Sequence, residues 1–364
     1  MPYLCNHVVM RVGVLLGKPK EEISDSYCKL LYSMSAAHGI ELFMFELKDI
    51  DWERKTINAW FYDAKGEKSY RKEASFPYIV EIYAKAVAVL PQIISKGMYM
   101  ECLLSAFYAM RDKTQVQEQM RKVELDKYLI NTHLFKEIDI EIMLSGYKTL
   151  MLKPNISNCG RSAYKLFRAG KKYTLSHKHK SKTVCKKKFY DIYAPVFSRN
   201  NYILQPFHNF TTNSGNPFVF KILLHRAENG EWRKISVNAH VGSPEGIMSK
   251  TSEGGYMVTE NLHEWLEAEV GGDAKNIIAE VDEIAAKIGD ALQKQHRLRI
   301  NCLGLSLGIN RDRDNALKII EIDADPEIYA HQEADVVAAK VQNWKDMYSK
   351  REDLLAKQRN HKFI

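Results

Sequence analysis

No apolar run in these 364 residues approaches the roughly 20 needed to cross a bilayer, so a helical membrane span is excluded. Met1 to Gly17 carries Asn6, His7 and Arg11 where a secretory signal requires an unbroken apolar stretch, and a cytoplasmic location is expected. Cysteine is sparse as well. Cys5, Cys28, Cys102, Cys159, Cys185 and Cys302 are scattered singly, with no C-x-x-C pair and no histidine at metal-finger spacing, which excludes a disulfide framework and a structural zinc site. In that compartment the sequons at Asn155 and Asn209 are chance matches. With 10 prolines, 19 glycines and 45% hydrophobic residues there is no low-complexity segment, and the length suffices for two or three packed domains. Acid is missing from one place only. Arg161 to Lys188 holds eleven Lys or Arg and no Asp or Glu, so the net charge of +8 has a local origin; without that segment the chain would be mildly acidic. Such a patch fits a polyanionic ligand, an acidic peptide or a solvated hairpin, and nucleic acid is disfavoured because no recognised nucleic-acid motif accompanies it.

The first ninety residues read as an α/β unit. An apolar strand from Val8 to Leu16 precedes a helical pattern over Ser24 to His38, closed by Gly39, and a second apolar strand from Ile40 to Leu47, which together predict a parallel crossover. A hairpin follows around Ala64, Lys65 and Gly66, then a strand at Tyr78 to Tyr83. Residues 114 to 146 read as mostly helical. Strands are then expected at Tyr147 to Lys153, Ala163 to Phe167, Tyr202 to Gln205, Phe218 to Arg226 and Ile235 to Val241. A long helix begins at Asp273, Cys302 to Ile309 and Ala316 to Ile322 make an apolar hairpin ending in acids, and Val336 to Gln358 reads as a polar helix.

Three pieces carry chemistry: Lys153 at a strand end before the small-residue loop Asn155 to Ser162, a strand leading to Gln205, and the hairpin end Glu321-Ile322-Asp323. A lysine at a strand end neutralises phosphate oxygens, and small residues let backbone N–H groups approach them. Carboxylates two apart on a strand share a face, where their oxygens suit magnesium. Each piece also has a plainer reading, as a solvated terminus, an ordinary loop, or the charged face of an edge strand. Their order along the chain, on the elements phosphate chemistry requires, favours the functional one.

The sequence resembles the ATP-grasp proteins of the endospore coat-associated YheC/YheD type over nearly its whole length. The likeness rests on Val12-Gly13-Val14-Leu15, the aromatic-Pro strand Phe76 to Tyr83, Lys153-Pro154 with the loop to Ser162, and the hinge strand Tyr202-Ile203-Leu204-Gln205. Pro217-Phe218, Trp232, Val241-Gly242, Gly254-Gly255, Leu307-Gly308-Ile309 and Ile320-Glu321-Ile322-Asp323 extend it. The resemblance implies an α/β chain with the ATP-grasp fold and an N-terminal α/β domain over 1–105, a central lobe over 106–205 and a C-terminal lobe over 206–364. It implies ATP and Mg2+ as cofactors and a carboxylate activated as an acyl phosphate for attack by an amine. Lys113 and Lys153, with the loop residues Ser157, Asn158, Cys159, Gly160 and Arg161, would contact the nucleotide, and Gln205 the adenine. Lys221 and His240 take the catalytic places, and Ser306, Glu321 and Asp323 the metal's.

Several expected residues are replaced. The family pattern has Asp at 219, Arg at 221, Arg at 240, Asn at 250, Asp at 306 and Asn at 323, where this chain has Val219, Lys221, His240, Lys250, Ser306 and Asp323. Lys221 places a cation without a bidentate fork, and the carboxylate lost at 306 returns at 323. Ser157 and Ser162 stand where glycines are expected. The expected function is an ATP-dependent carboxylate–amine ligase acting on an amino acid or acidic peptide. The alternative is a non-catalytic scaffold beside a paralogous ATP-grasp partner or a spore coat protein.

Overall fold

Val12, Val14 and Leu15 bring an apolar run that water disfavours on both faces, and the chain buries it in the middle of a parallel sheet. The computed structural model describes residues 9–17, 25–63, 68–83, 90–106, 112–136, 140–156, 162–177, 180–244, 246, 249, 254–271, 274–295, 299–312, 316–323 and 326–360. Strand β1 (Met10–Leu15) lies parallel to β2 (Ile40–Phe45) across helix α1 (Asp25–Ala37), and Gly39 at φ +70° ends that helix as expected. The short β3 (Ile50–Asp51) and the hairpin β4 (Thr56–Tyr62) and β5 (Ser69–Ser75) extend one side. On the other side stand β6 (Ile79–Ile82) and, after α2 (Leu90–Ser95), β7 (Leu103–Ala106), both parallel to their neighbours.

Helices α3 (Lys113–Arg121) and α4 (Ile140–Gly146) are all that remains of the long helical stretch expected over 114–146. Glu124 turns left-handed at φ 62°, a single 3-10 turn covers Asp126–Tyr128, and β8 (His133–Leu134) then joins a second sheet. The periodicity misled because Leu125, Leu129 and Ile130 are buried by packing between lobes, not on one helical face. The second sheet comprises β9 (Thr149–Pro154), β10 (Tyr164–Ala169), β11 (Lys172–His177), β12 (Lys180–Cys185) and β13 (Tyr202–Pro206), ordered β12-β11-β10-β9-β13-β8. One face is covered by α4, by α6 (Ala194–Arg199) and by the π turn that joins α6 to the exposed α5 (Lys186–Lys188).

The third sheet, ordered β16-β15-β14-β18-β19, is formed by β14 (Phe218–Arg226), β15 (Trp232–Val241), β16 (Tyr256–Val258), β18 (Cys302–Asn310) and β19 (Ala316–Asp323). Helices α7 (Leu262–Glu269) and α8 (Ala274–Gln295) pack on its apolar face. Between α8 and β18 in the chain, β17 (Arg299–Ile300) leaves this sheet to pair with β7 of the first. After β19 the chain returns to the first sheet. Helices α9 (Glu333–Ser349) and α10 (Arg351–Asn360) bury Val337, Val341, Trp344, Met347 and Leu355 against Val12, Leu42 and Ile79. The expected single polar helix is therefore two helices with a buried face. Its polarity deceived because Lys340, Asn343 and Asp346 lie on that face and are paired there with Glu81, Asn301 and Arg299.

Candidate functional site

Strand alternation sorts the third sheet. Phe220, Ile222 and Leu224 of β14 and Leu303, Leu305 and Leu307 of β18 face the helices, so the intervening residues face the cleft toward the second sheet. The register aligns Asn238, Lys221, Ser306 and Glu321 in one row across β15, β14, β18 and β19. A bulge between Ser306 and Leu307 sets that phase, and Asp323 falls opposite Gly304 on the same face as Glu321. A Cβ on Gly304 would stand 3.1 Å from that of Asp323 and 2.7 Å from that of Pro326, so the glycine lets the chain after β19 fold back over the row.

Lys221 donates to the Ser306 hydroxyl at 2.7 Å, and Ser306 is only 3% exposed. Its oxygen is thus engaged by an ammonium, leaving Glu321 and Asp323 as the carboxylates of the row. Lys113 approaches from the start of α3, whose Val116 and Met120 pack with the helices of the third sheet. Asp112 caps α3 by accepting the N–H groups of Thr114 and Gln115, which fixes Lys113 at the helix's first turn. The Lys113 ammonium donates to the carbonyls of Pro154 and Asn155 at 3.3 and 3.4 Å and stands 3.7 Å from a Glu321 oxygen. Burial lowers its pKa, against the pull of Glu321 and Asp323. Lys153, at the end of β9, has no hydrogen-bond or ion-pair partner among the described residues. Burial pushes its ammonium down to about 8, with Glu321 opposing and Lys113 and Lys221 adding. Three lysines therefore surround Glu321.

His240 sits one pleat along from Asn238, 6% exposed, with Nε2 unpartnered among the described residues. Burial, with Lys221 nearby, pushes it down to about 4, so the imidazole is neutral at pH 7. Its ring lies 5.9 Å from that of Tyr329, which stacks on His331.

Between the second and third sheets is a cavity of about 270 Å³, lined by Met151, Lys153, Lys165, Gln205, Phe207 and Ile320 among others. Gln205 donates from Nε2 to the Thr132 hydroxyl at 2.8 Å, while its Oε1 is buried with no partner among the described residues. That acceptor, apolar walls and Lys153 at one end suit a nucleotide: the base would lie in the slot and the phosphates toward Lys113 and Lys153. Glu321 and Asp323 offer the hard oxygen donors magnesium takes beside phosphates. Ser157, Asn158, Cys159, Gly160 and Arg161, expected over the phosphates, lie outside the described residues.

Sequence reasoning passed over Lys165, Asn238 and Tyr329. Lys165 had been counted in the basic run, yet its ammonium lies 4.0 Å from the Phe207 ring, at the cavity. Pairing the β9–β10 hairpin would have revealed it, since Lys165 is opposite Met151 on the face that also carries Lys153.

A family model described as YheC/D like ATP-grasp matches residues 106–349. The chain belongs to the YheC/D-like ATP-grasp family. It is 22% identical over 192 residues to the endospore coat-associated protein YheC of Bacillus subtilis (strain 168), a match covering 51% of each, so the chain spans about half the length of the curated relative it matches. Among solved structures it is similar to the D-alanine-D-alanine ligase from Coxiella burnetii, at 10% identity and TM-score 0.54 over 96% of this chain and 98% of that one. It is also similar to the carboxyaminoimidazole ribonucleotide synthase from Aspergillus clavatus complexed with ATP, at 13% identity and TM-score 0.51 over 91% and 76%. At such identities the likeness is one of fold, and the α/β ATP-grasp architecture expected for this family member is the one observed. No helix among the described residues is long and apolar enough to cross a membrane.

The low pKa of Lys153 makes a pH test available. With Lys153 against the phosphates, its protonated amine would neutralise them, so ATP affinity should be flat up to pH 8 and fall by up to about tenfold per unit above it, as the free amine loses its proton. Lys153→Arg should remove that slope. Calorimetric titration between pH 7 and 10 measures both.

Proposed function

We propose that the protein is an ATP-dependent carboxylate–amine ligase acting on an amino acid or acidic peptide. The observation that carries this is the meeting of Lys113 of α3 and Lys153 of the second sheet with the Lys221–Ser306–Glu321 row of the third. In the reaction a substrate carboxylate oxygen attacks the γ-phosphorus, and the bond from that phosphorus to ADP breaks. An amine nitrogen then attacks the acyl carbon, phosphate leaves, and the amine's proton passes to solvent. Lys113 and Lys153 hold the phosphates, Lys221 neutralises charge on the transferring group as a point cation, and neutral His240 offers a ring nitrogen to the substrate without adding charge. Magnesium held by Glu321 and Asp323 would supply charge neutralisation across the phosphate oxygens. Gln205 Oε1 accepts the amino group of the adenine. The name of the YheC relative supports work at the spore coat; a cytoplasmic site of action and a coat protein or a paralogous ATP-grasp partner complete the reading.

The second reading, a scaffold that binds nucleotide without turnover, is favoured by one observation: the hydroxyl at 306 is taken up by Lys221. Two measurements separate the readings. Magnesium-ATP at a hundredfold excess over its dissociation constant should stabilise the fold by about 2.7 kcal/mol, read as a raised unfolding temperature, and Lys153→Ala should lose that shift. Release of ADP and phosphate on adding amino acids or acidic peptides marks a ligase. A shift without release marks a scaffold, and no shift at millimolar ATP removes both.

A further inference from the structure

The basic segment is not absorbed by the cleft. Of its residues, Arg168 and Lys186 share Glu141 at 3.1 and 3.2 Å, and Lys165 turns into the cavity. Lys171, Lys172, Lys180, Lys182, Lys187 and Lys188 are exposed and have no carboxylate partner among the described residues, and Asp191 is the one acid between Arg161 and Arg199. Most of these cations lie on or beside β12, the outermost strand of the second sheet.

That edge has an open ladder. Thr174 and Thr183 touch through their hydroxyls at 2.8 Å, and Ser176 and Ser181 at 2.7 Å. Side chains approach this closely in the antiparallel pairs that do not exchange backbone bonds, so the N–H and C=O groups of Ser181 and Thr183 turn away from β11 toward solvent. Lys180 and Lys182 alternate with them and project to the opposite face, where Lys182 lies 5.8 Å from the Tyr193 ring and Val184 packs in the core. Lysines on an edge deter another apolar strand. They favour one of opposite charge.

We propose that β12 docks an extended acidic peptide of a partner protein, which adds a strand to this edge. Its backbone pairs with Ser181 and Thr183, and carboxylates at alternate positions pair with Lys180 and Lys182. The alternation of outward backbone groups with lysines matches an extended peptide, whose side chains repeat every two residues; a nucleic acid has no main-chain amide to offer that ladder. One row, Gln205, Met151, Lys165, Ser176, Ser181, runs from the cavity to the edge. At about 4.8 Å per strand the docked segment lies on the order of 24 Å from Gln205, so about seven extended residues would carry the rest of the peptide back to the cleft. Only this last use rests on the ligase reading; docking itself does not.

Fluorescence anisotropy of the full chain with a labelled twelve-residue peptide alternating Glu and Val, at about 50 mM salt, tests this. Micromolar binding is expected. Lys180→Glu with Lys182→Glu should weaken it by about tenfold or more, and so should Thr183→Pro, which removes an outward N–H without touching the inner ladder. A peptide N-methylated at alternate residues keeps its charge and needs no variant to fold; it should also bind about tenfold more weakly. Binding lost in the lysine variant but kept by the N-methylated peptide would overturn strand addition, as would equal or tighter binding of a single-stranded oligonucleotide of the same charge. The ATP-induced thermal shift, measured on the same samples, keeps the two readings apart: peptide binding without that shift removes the ligase and leaves the dock, and the reverse removes the dock alone.

Discussion

Glu321→Gln and Asp323→Asn should each lower magnesium-dependent ATP turnover by about two to three orders of magnitude, while metal-free ATP binds no more weakly than to the unaltered chain. The opposite signs follow from the site's charges. Glu321 stands 3.7 Å from Lys113 and within electrostatic reach of Lys153, so the carboxylate that would hold magnesium also occupies the lysines that would hold phosphate. Neutralising it removes a ligand from a cation that demands near-octahedral oxygens, and releases the lysines for the nucleotide. Ser306→Asp introduces an acid at the position whose hydroxyl now accepts from Lys221 at 2.7 Å, so its charge is met by that ammonium and magnesium should bind at least as tightly as before. Ser306→Asp with Asp323→Asn restores the family's arrangement and should retain or raise activity. Calorimetric titration of ATP into these variants, with and without magnesium, decides it. Wild-type-like magnesium dependence in Glu321→Gln would assign the carboxylates to nothing more than a charged strand.

Lys340→Met should cost about 3–5 kcal/mol of stability. Lys340 and Glu81 are both fully buried and joined by an ion pair between α9 and β6, and Trp344 donates its indole N–H to the other Glu81 oxygen at 2.7 Å. Despite burial, Glu81 holds the lysine's pKa above its ordinary value, with the Tyr83 ring 5.2 Å from the ammonium. Removing the lysine leaves a carboxylate stranded in an apolar core. Glu81→Leu with Lys340→Met removes both charges and should recover most of the loss, because the pair's mutual attraction is largely offset by its desolvation. Urea unfolding midpoints of the single and double variants measure this. Equal losses in both would mean that packing, not the stranded charge, sets the cost.

The apolar hairpin ending at Glu321 and Asp323, the strand ending at Lys153 and the crossover around β1 were all legible, because each is a run of like residues bounded by turn residues or charge. Lys340 was not. Its acid lies 259 positions away, and no local pattern tells a paired buried lysine from a solvated one. The same limit hid Asn238, which has meaning only through its register with Lys221. Lys165 was hidden differently, by neighbours of like charge whose side chains point elsewhere.

The first sheet has a consequence for how the chain is made. Its core needs Trp344 and Leu355, and its edge needs β17, so during synthesis Glu81 of β6 leaves the ribosome 263 positions before Trp344, and β1 and β2 earlier still. The two later sheets close on locally encoded hairpins and can form meanwhile. Apolar β1, β2 and β6 must wait with α1 alone over one face, and that interval is where a chaperone has most to do.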